Sequence, residues 1–328
     1  MSDVQGRAEG AHGATRPGAV AIVTYVLVAC ALAWLVALPL WLSGQGLRSP
    51  WTGLILPAMM LTPTIAMLVV VFARHAPRTQ RLRFLGMWPL RPTGRFIGML
   101  VIALLAPIVV VAVTTGVAAA LGLVRLDLVD FSGYAEQLSA VVPGAALPPM
   151  GVLVTVQLLL IPGGALVNSV LTTGEELGWR GWLLPALRPL GTWPALVITG
   201  VVWGLWHAPI ILLGYDFDRP DLTGVLFMVG GCVAWGVLLG WLRLRSASVW
   251  PAVLAHGSLN AAGGLVLLLR AAGEQPDLAI VGPLGVVAWV VLAVLVVVLA
   301  LTRQFRRQPA PLPPRPSVPA ALPLPPGA

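Results

Sequence analysis

Hydrophobic residues occur in long runs along this chain, and short segments between the runs carry most of the charged residues. One helix needs around twenty apolar residues to cross a hydrocarbon core about 30 Å thick. On that rule the runs predict membrane-spanning helices at residues 20–42, 54–73, 96–123, 149–188, 194–213, 222–242, 249–270 and 279–302. The predicted fold is therefore an all-α polytopic membrane protein, a bundle of about eight transmembrane helices.

The fourth run, residues 149–188, is too long to cross once as a straight helix. At about 1.5 Å per residue it would extend for about 60 Å. The segment Pro162-Gly163-Gly164 lies inside it; proline removes a helix hydrogen bond and glycine tolerates a bend. We therefore expect a break at this segment and a main helix over about residues 165–187.

Composition supports a membrane protein, because hydrophobic residues make up 58% of the chain and charged residues only 10%. A soluble domain carries roughly a quarter charged residues. The net charge of +8 comes from arginine, since the sequence contains no lysine. Basic residues collect in the cytoplasmic loops of membrane proteins, so we expect no nucleic-acid partner. The expected partners are the lipid bilayer and a membrane-associated peptide or protein substrate.

The arginines predict the orientation of the chain. The connection between the second and third runs contains six of them: Arg74, Arg78, Arg81, Arg83, Arg91 and Arg95. If this connection is cytoplasmic, both termini are also cytoplasmic, and most acidic connections lie on the other side. The sequence thus predicts a multi-pass protein of the plasma (inner) membrane. It has a cytoplasmic N-terminal tail at residues 1–19, a membrane domain at 20–304 and a disordered, proline-rich C-terminal tail at 305–328.

Two adjacent carboxylates and an arginine interrupt the fourth run. On a helix, Glu176 and Arg180 are four residues apart and share a face, so we expect them to pair. Glu175 is rotated by about 100° from Glu176 and has no such partner. An ionisable group at membrane depth is costly and therefore indicates a functional site. Glu175 is the leading candidate for chemistry, with Glu176 and Arg180 in support.

Three further polar residues occupy later predicted spans. His207 follows Trp203 by four residues, and Asn260 follows His256 by four, so each pair shares a helix face. Counted along their helices, Glu175, His207 and His256 all lie about 16–20 Å from the arginine-rich ends. This common depth predicts one site that opens to the cytoplasmic side, in which Glu175 faces His207 and His256.

Two kinds of chemistry fit this set. In one, Glu175 and a histidine deprotonate a water, while the second histidine and Asn260 stabilise the oxyanion of an attacked carbonyl. In the other, Glu175, His207 and His256 bind a divalent metal such as zinc and leave a position for water. Either route hydrolyses a peptide bond, and the sequence leaves open whether the cofactor is a metal or none.

The ordered motifs Glu175-Glu176-x-x-x-Arg180, Trp203-x-x-x-His207 and His256-x-x-x-Asn260 resemble those of the CPBP family. This family of intramembrane proteases includes type II CAAX prenyl endopeptidases and the Abi and bacteriocin-immunity proteins. The resemblance covers residues 165–265. Two positions depart from the family pattern, because Trp179 and Trp203 stand where phenylalanine is commoner; both remain aromatic.

The resemblance implies an intramembrane endopeptidase with glutamate-dependent or metal-dependent catalysis. It gives Glu175 the role of general base and His207 that of its partner, and it places His256 and Asn260 at the oxyanion or metal site. Two other functions compete with this one. A non-catalytic immunity or scaffold protein could keep the motifs for stability, and a transporter or proton relay could also use buried Glu and His residues.

Overall fold

A computed structural model of the chain describes residues 17–90, 93–144, 147–306 and 308. The predicted tails at residues 1–19 and 305–328 lie mostly outside these ranges. Within them the chain is helical, with one isolated antiparallel bridge between Leu126 and Arg270 and no β-strand. The α-helices are α1 Ala19–Leu42, α2 Thr52–Met60, α3 Thr62–Phe72, α4 Arg81–Phe84, α5 Thr93–Ala120, α6 Ser132–Val141, α7 Met150–Glu176, α8 Leu184–Leu187, α9 Thr192–Trp206, α10 Ala208–Ile211, α11 Leu222–Ser246, α12 Trp250–Ala262, α13 Leu265–Leu269, α14 Leu278–Val281 and α15 Val286–Leu301.

The predicted all-α membrane bundle is confirmed. By length and composition, the described residues contain seven helical segments able to cross a membrane: Ala19–Leu42, Thr52–Phe72, Gly94–Ala120, Met150–Leu190, Leu222–Ser246, Trp250–Leu269 and Leu278–Leu301. The fifth predicted span, residues 194–213, is represented by the shorter apolar helix α9. It ends at Trp206 rather than at residue 213, because Pro209 cannot donate the backbone hydrogen bond that would continue it. His207 therefore stands at a helix end.

The break expected at Pro162-Gly163-Gly164 is wrong, because α7 runs from Met150 to Glu176 through this segment. Pro162 and Gly163 lie on the exposed side of α7. Membrane helices tolerate proline where local adjustments of the helix or neighbouring groups satisfy the backbone carbonyl that loses its donor. The departure from α-helical geometry occurs later, at Leu177–Leu183, which forms a π-helix.

The π-helix accepts a hydrogen bond from a neighbouring helix. Arg243 of α11 donates from Nε to the carbonyl oxygen of Arg180 at 3.1 Å. Such π segments are rare and often mark functional sites. Here the π-helix begins directly after the two glutamates, so it fixes how Arg180 is presented to them.

Glycines bring the helices that carry the three motifs close to their neighbours. A Cβ added to Gly204 of α9 would lie 2.5 Å from Cα of Val229 in α11. A Cβ on Gly257 of α12 would lie 2.5 Å from the carbonyl oxygen of Ala165 in α7. Small residues at helix interfaces allow this close approach in membrane proteins. The positions of α9 and α12 relative to the rest of the bundle are therefore set by backbone contact.

Candidate active site

A cavity of about 480 Å³ lies between α2, α7, α9, α11 and α12. The four residues that the sequence singled out for chemistry all line it: Glu175, His207, His256 and Asn260. Trp203, which was predicted to share a helix face with His207 and to support the site, lines it as well. Helices distant in sequence thus bring a carboxylate, two imidazoles and an amide to one space.

Glu175 is almost completely buried, with 2% of its surface exposed. Its Oε2 accepts a hydrogen bond from Nε1 of Trp203 at 2.8 Å. Within the described residues its Oε1 has no hydrogen-bond partner, although the side chain lines the cavity. One oxygen is therefore held in place, and the other is available to a molecule in the cavity.

One carboxylate oxygen of Glu176 contacts two partners. Its Oε1 accepts from a guanidinium nitrogen of Arg180 at 2.7 Å, which is the pair expected from the spacing. The same Oε1 lies 3.0 Å from Nδ1 of His256. Glu175 and His256 both line the cavity, and the bond from His256 to Glu176 is a contact that the sequence did not predict. A helical count gives the face of each glutamate, but it gives no information on the rotation of α12 against α7.

The hydrogen bonds at Nδ1 of the two histidines determine what each ring offers the cavity. Nδ1 of His207 lies 2.9 Å from the carbonyl oxygen of Trp203, and a carbonyl only accepts. His207 therefore carries a proton on Nδ1, and in the neutral ring Nε2 is an acceptor. Nδ1 of His256 likewise donates to the carboxylate of Glu176. In both rings Nε2 is the nitrogen left for chemistry.

Arg180 is fully buried, and its charge is shared between two groups. Besides its bond to Glu176, its guanidinium carbon lies 4.4 Å from the ring centroid of Trp203. A cation over an indole face is attracted by the ring electrons. Arg180 and Trp203 thus connect the two glutamates, although Glu175 and Glu176 have different hydrogen-bond partners.

Several polar residues of the cavity were not identified from the sequence: Asn168, Tyr215, Asp216 and Cys232. Asn168 precedes Glu175 by seven residues on α7, so a search for polar residues two helical turns away would have found it. Tyr215 and Asp216 lie in the connection after α10. Helical periodicity gives no information about such a connection. The sequence pattern therefore could not predict that this connection lines the cavity.

Asp216 is a partly buried acid at the wall of the cavity, and burial raises the pKa of its carboxyl to about 7. When folding raises the pKa of an acid, the folded protein loses stability as the pH rises from the pKa of the unfolded state to that of the folded state. We therefore expect Asp216→Asn to unfold at a higher temperature than the natural protein at pH 8 and at nearly the same temperature at pH 4. Thermal unfolding of the two proteins in the same detergent tests this. A wild-type protein that is the more stable at pH 8 would contradict it.

The cavity extends from Glu175 towards the end of the bundle opposite the arginine-rich connections. Its lining continues towards the start of α7 at Asn168, past the end of α12 at Leu267, and into the connection at Tyr215. None of the described residues within 74–95 line it. The lining thus gives no support to the prediction of a site that opens on the arginine-rich side. Which end faces the cytoplasm stays a prediction.

The residues do not form a metal site in this arrangement. Among the described residues, no three His, Cys, Asp or Glu side chains come together in a group that could hold a metal ion. The predicted set of Glu175, His207 and His256 shares a cavity without converging on one point, so no step below uses a metal.

Residues 154–262 match the family model described as "Type II CAAX prenyl endopeptidase Rce1-like". The match covers about one third of the 328-residue chain. It includes all three motifs and every candidate residue from Glu175 to Asn260. The suspected resemblance to CAAX proteases is confirmed, and the match supports a membrane endopeptidase.

Proposed function

We propose that this protein is an intramembrane endopeptidase that hydrolyses a peptide bond with a water activated by Glu175 and His207. The main observation behind the proposal is that a buried carboxylate and two imidazoles line the same cavity. In both imidazoles Nδ1 is hydrogen-bonded and Nε2 remains free for chemistry. The family match supports the same reaction class. A buried acid held by only one hydrogen bond suits a general base.

In the proposed first step a water donates one hydrogen bond to Oε1 of Glu175 and the other to Nε2 of His207. Glu175 takes a proton while the water oxygen forms a bond to the carbonyl carbon of the substrate. The π-electron pair of the carbonyl moves to its oxygen, which becomes an oxyanion. Holding the water between two acceptors orients its lone pair at the carbon, which lowers the entropy cost of the attack.

His256 and Asn260 are proposed to stabilise the oxyanion. Asn260 donates from its amide nitrogen, and a protonated His256 donates from Nε2. The carboxylate of Glu176 accepts the hydrogen bond from Nδ1 and so holds the orientation of the ring. Glu176 thus acts through His256, and Arg180 balances part of its charge.

In the final step the tetrahedral intermediate collapses. The oxyanion electrons re-form the carbonyl, the C–N bond breaks, and Glu175 returns its proton to the leaving nitrogen. The products are a new carboxyl terminus and a new amino terminus, and the enzyme is unchanged. The base of the first step is the acid of the last, so one carboxyl group is sufficient.

The proposed substrate is a peptide or protein associated with the membrane. Besides its polar residues, the cavity has apolar walls made by Leu56, Met59, Met60, Ile210, Met228 and Leu259. Apolar walls with a few directed polar groups are typical of pockets that bind a largely apolar ligand. We propose that the substrate enters from the end formed by Tyr215 and Asp216, where the cavity continues beyond the motifs.

A library of membrane peptides co-expressed with the protein tests this function. We expect cleaved products with the natural protein and none with Glu175→Ala or His207→Ala. His75→Asn is the matched control, because His75 lies after α3 and outside the cavity, and it is expected to retain cleavage. Undiminished cleavage by both Glu175→Ala and His207→Ala would refute the proposal.

A further inference from the structure

The indole of Trp203 contacts both parts of the acidic network. Its Nε1 donates to Oε2 of Glu175 at 2.8 Å, and its face lies under the guanidinium of Arg180. Its ring also meets the ring of His256 edge to face, with 5.2 Å between the centroids. With only 2% of its surface exposed, Trp203 has little freedom to move.

This arrangement restricts the carboxylate of Glu175. A carboxylate at the end of a flexible side chain rotates freely about its last bond unless a donor fixes one oxygen. Trp203 provides that donor, and the bond is charge-assisted when Glu175 is ionised. A phenylalanine ring could fill the same space and pack against the same guanidinium, but it has no N–H to donate. The indole nitrogen is thus the part of Trp203 that packing alone does not explain.

We infer that Trp203 is a positioning residue for Glu175. It holds Oε2 so that Oε1 is the oxygen presented to water, and the guanidinium of Arg180 packs on the face of the indole. The Glu176–Arg180 pair therefore supports the proposed base through Trp203, although it has no hydrogen bond to Glu175 within the described residues. This inference rests on the proposed function only in taking Glu175 as the base.

The hydrogen bond itself can be tested without any activity. In protein labelled with ¹⁵N-tryptophan, the indole signal of Trp203 is assigned by its loss in Trp203→Phe. We expect that signal to move in Glu175→Ala, because the indole loses its acceptor, and to move less in Glu175→Gln, which keeps an oxygen there. The signal of Trp182, bonded to the carbonyl of Ala76, should stay in place and report an intact fold. A Trp203 signal unchanged in both variants would overturn the inference.

The catalytic consequence is tested with Trp203→Phe against Trp182→Phe. Each variant removes one buried indole hydrogen bond and keeps an aromatic ring, but Trp182 does not line the cavity. Hydrogen bonds to charged groups correspond to about a tenfold to hundredfold effect. We expect Trp203→Phe to lower kcat at least about tenfold with KM within about twofold, and Trp182→Phe to leave kcat per folded molecule unchanged.

Two results of the kinetic test would overturn the inference. One is an unchanged kcat in Trp203→Phe, and the other is an equal fall in kcat in both variants, which would indicate a general packing effect. A natural protein that cleaves nothing would instead refute the proposed function. In that case the indole signals still decide whether Trp203 holds Glu175.

Discussion

Glu175→Gln is expected to lower peptide cleavage by about 10²–10⁴-fold, the usual contribution of a general base. An amide cannot take the proton of the attacking water, whereas its oxygen can still accept from Nε1 of Trp203. The substitution keeps the shape of the side chain and removes a buried, ionisable group that is 2% exposed. The loss of activity should therefore occur in a protein that is as abundant and as stable as the natural one. Cleavage rate per folded molecule is the quantity to measure.

The same variant separates an enzyme from a non-catalytic immunity or scaffold protein. A scaffold would lose function only in proportion to protein abundance, so Glu175→Gln would have little effect on it. If the biological activity of the cells follows abundance in Glu175→Gln, the account of Glu175 as a base is contradicted. If activity is lost at normal abundance, the scaffold function is excluded.

Arg180→Met is expected to destabilise the protein by about 3–5 kcal/mol, the usual cost of leaving one partner of a buried ion pair alone. Arg180 and Glu176 are both fully buried and lie 2.7 Å apart. Without Arg180, Glu176 keeps only His256 as a partner on Oε1. The free energy of unfolding in mixed detergent micelles is the measurement.

Two further variants serve as controls for Arg180→Met. In the double variant Glu176→Gln with Arg180→Met both charges are gone, so we expect it to be more stable than Arg180→Met alone. Arg125→Met removes an ion pair of similar length, 2.6 Å to Glu274, but at an exposed site. It is expected to leave the free energy of unfolding nearly unchanged. A double variant less stable than Arg180→Met would contradict the assigned role of the pair.

The spans of this bundle were predictable because the bilayer imposes one simple requirement on them. A helix must be apolar over about twenty residues, and hydropathy detects that directly. Local geometry was less predictable. Pro162 was expected to break α7 but is accommodated, whereas Leu177–Leu183 leaves the α-helical form without a proline inside it. Its hydrogen bonds to other elements, such as that from Arg243, depend on tertiary packing that a local pattern does not contain.

The residues of the candidate site were predictable from the sequence, but the hydrogen bonds between them were less so. Polar residues inside apolar runs identified Glu175, His207, His256 and Asn260, which share one cavity. The bond between Glu176 and His256 depends on how α12 is rotated against α7, and spacing does not give that rotation. The role of Asp216 depends on the path of a connection without periodicity.

The central claim is that a water activated by Glu175 cleaves a peptide bond in this cavity. The most direct test uses the purified protein in lipid nanodiscs with a membrane peptide library in ¹⁸O-labelled water, and the products are read by mass spectrometry. The account predicts cut peptides whose new carboxyl terminus carries ¹⁸O, and no such products with Glu175→Gln. Equal amounts of labelled product from the natural protein and from Glu175→Gln would contradict it.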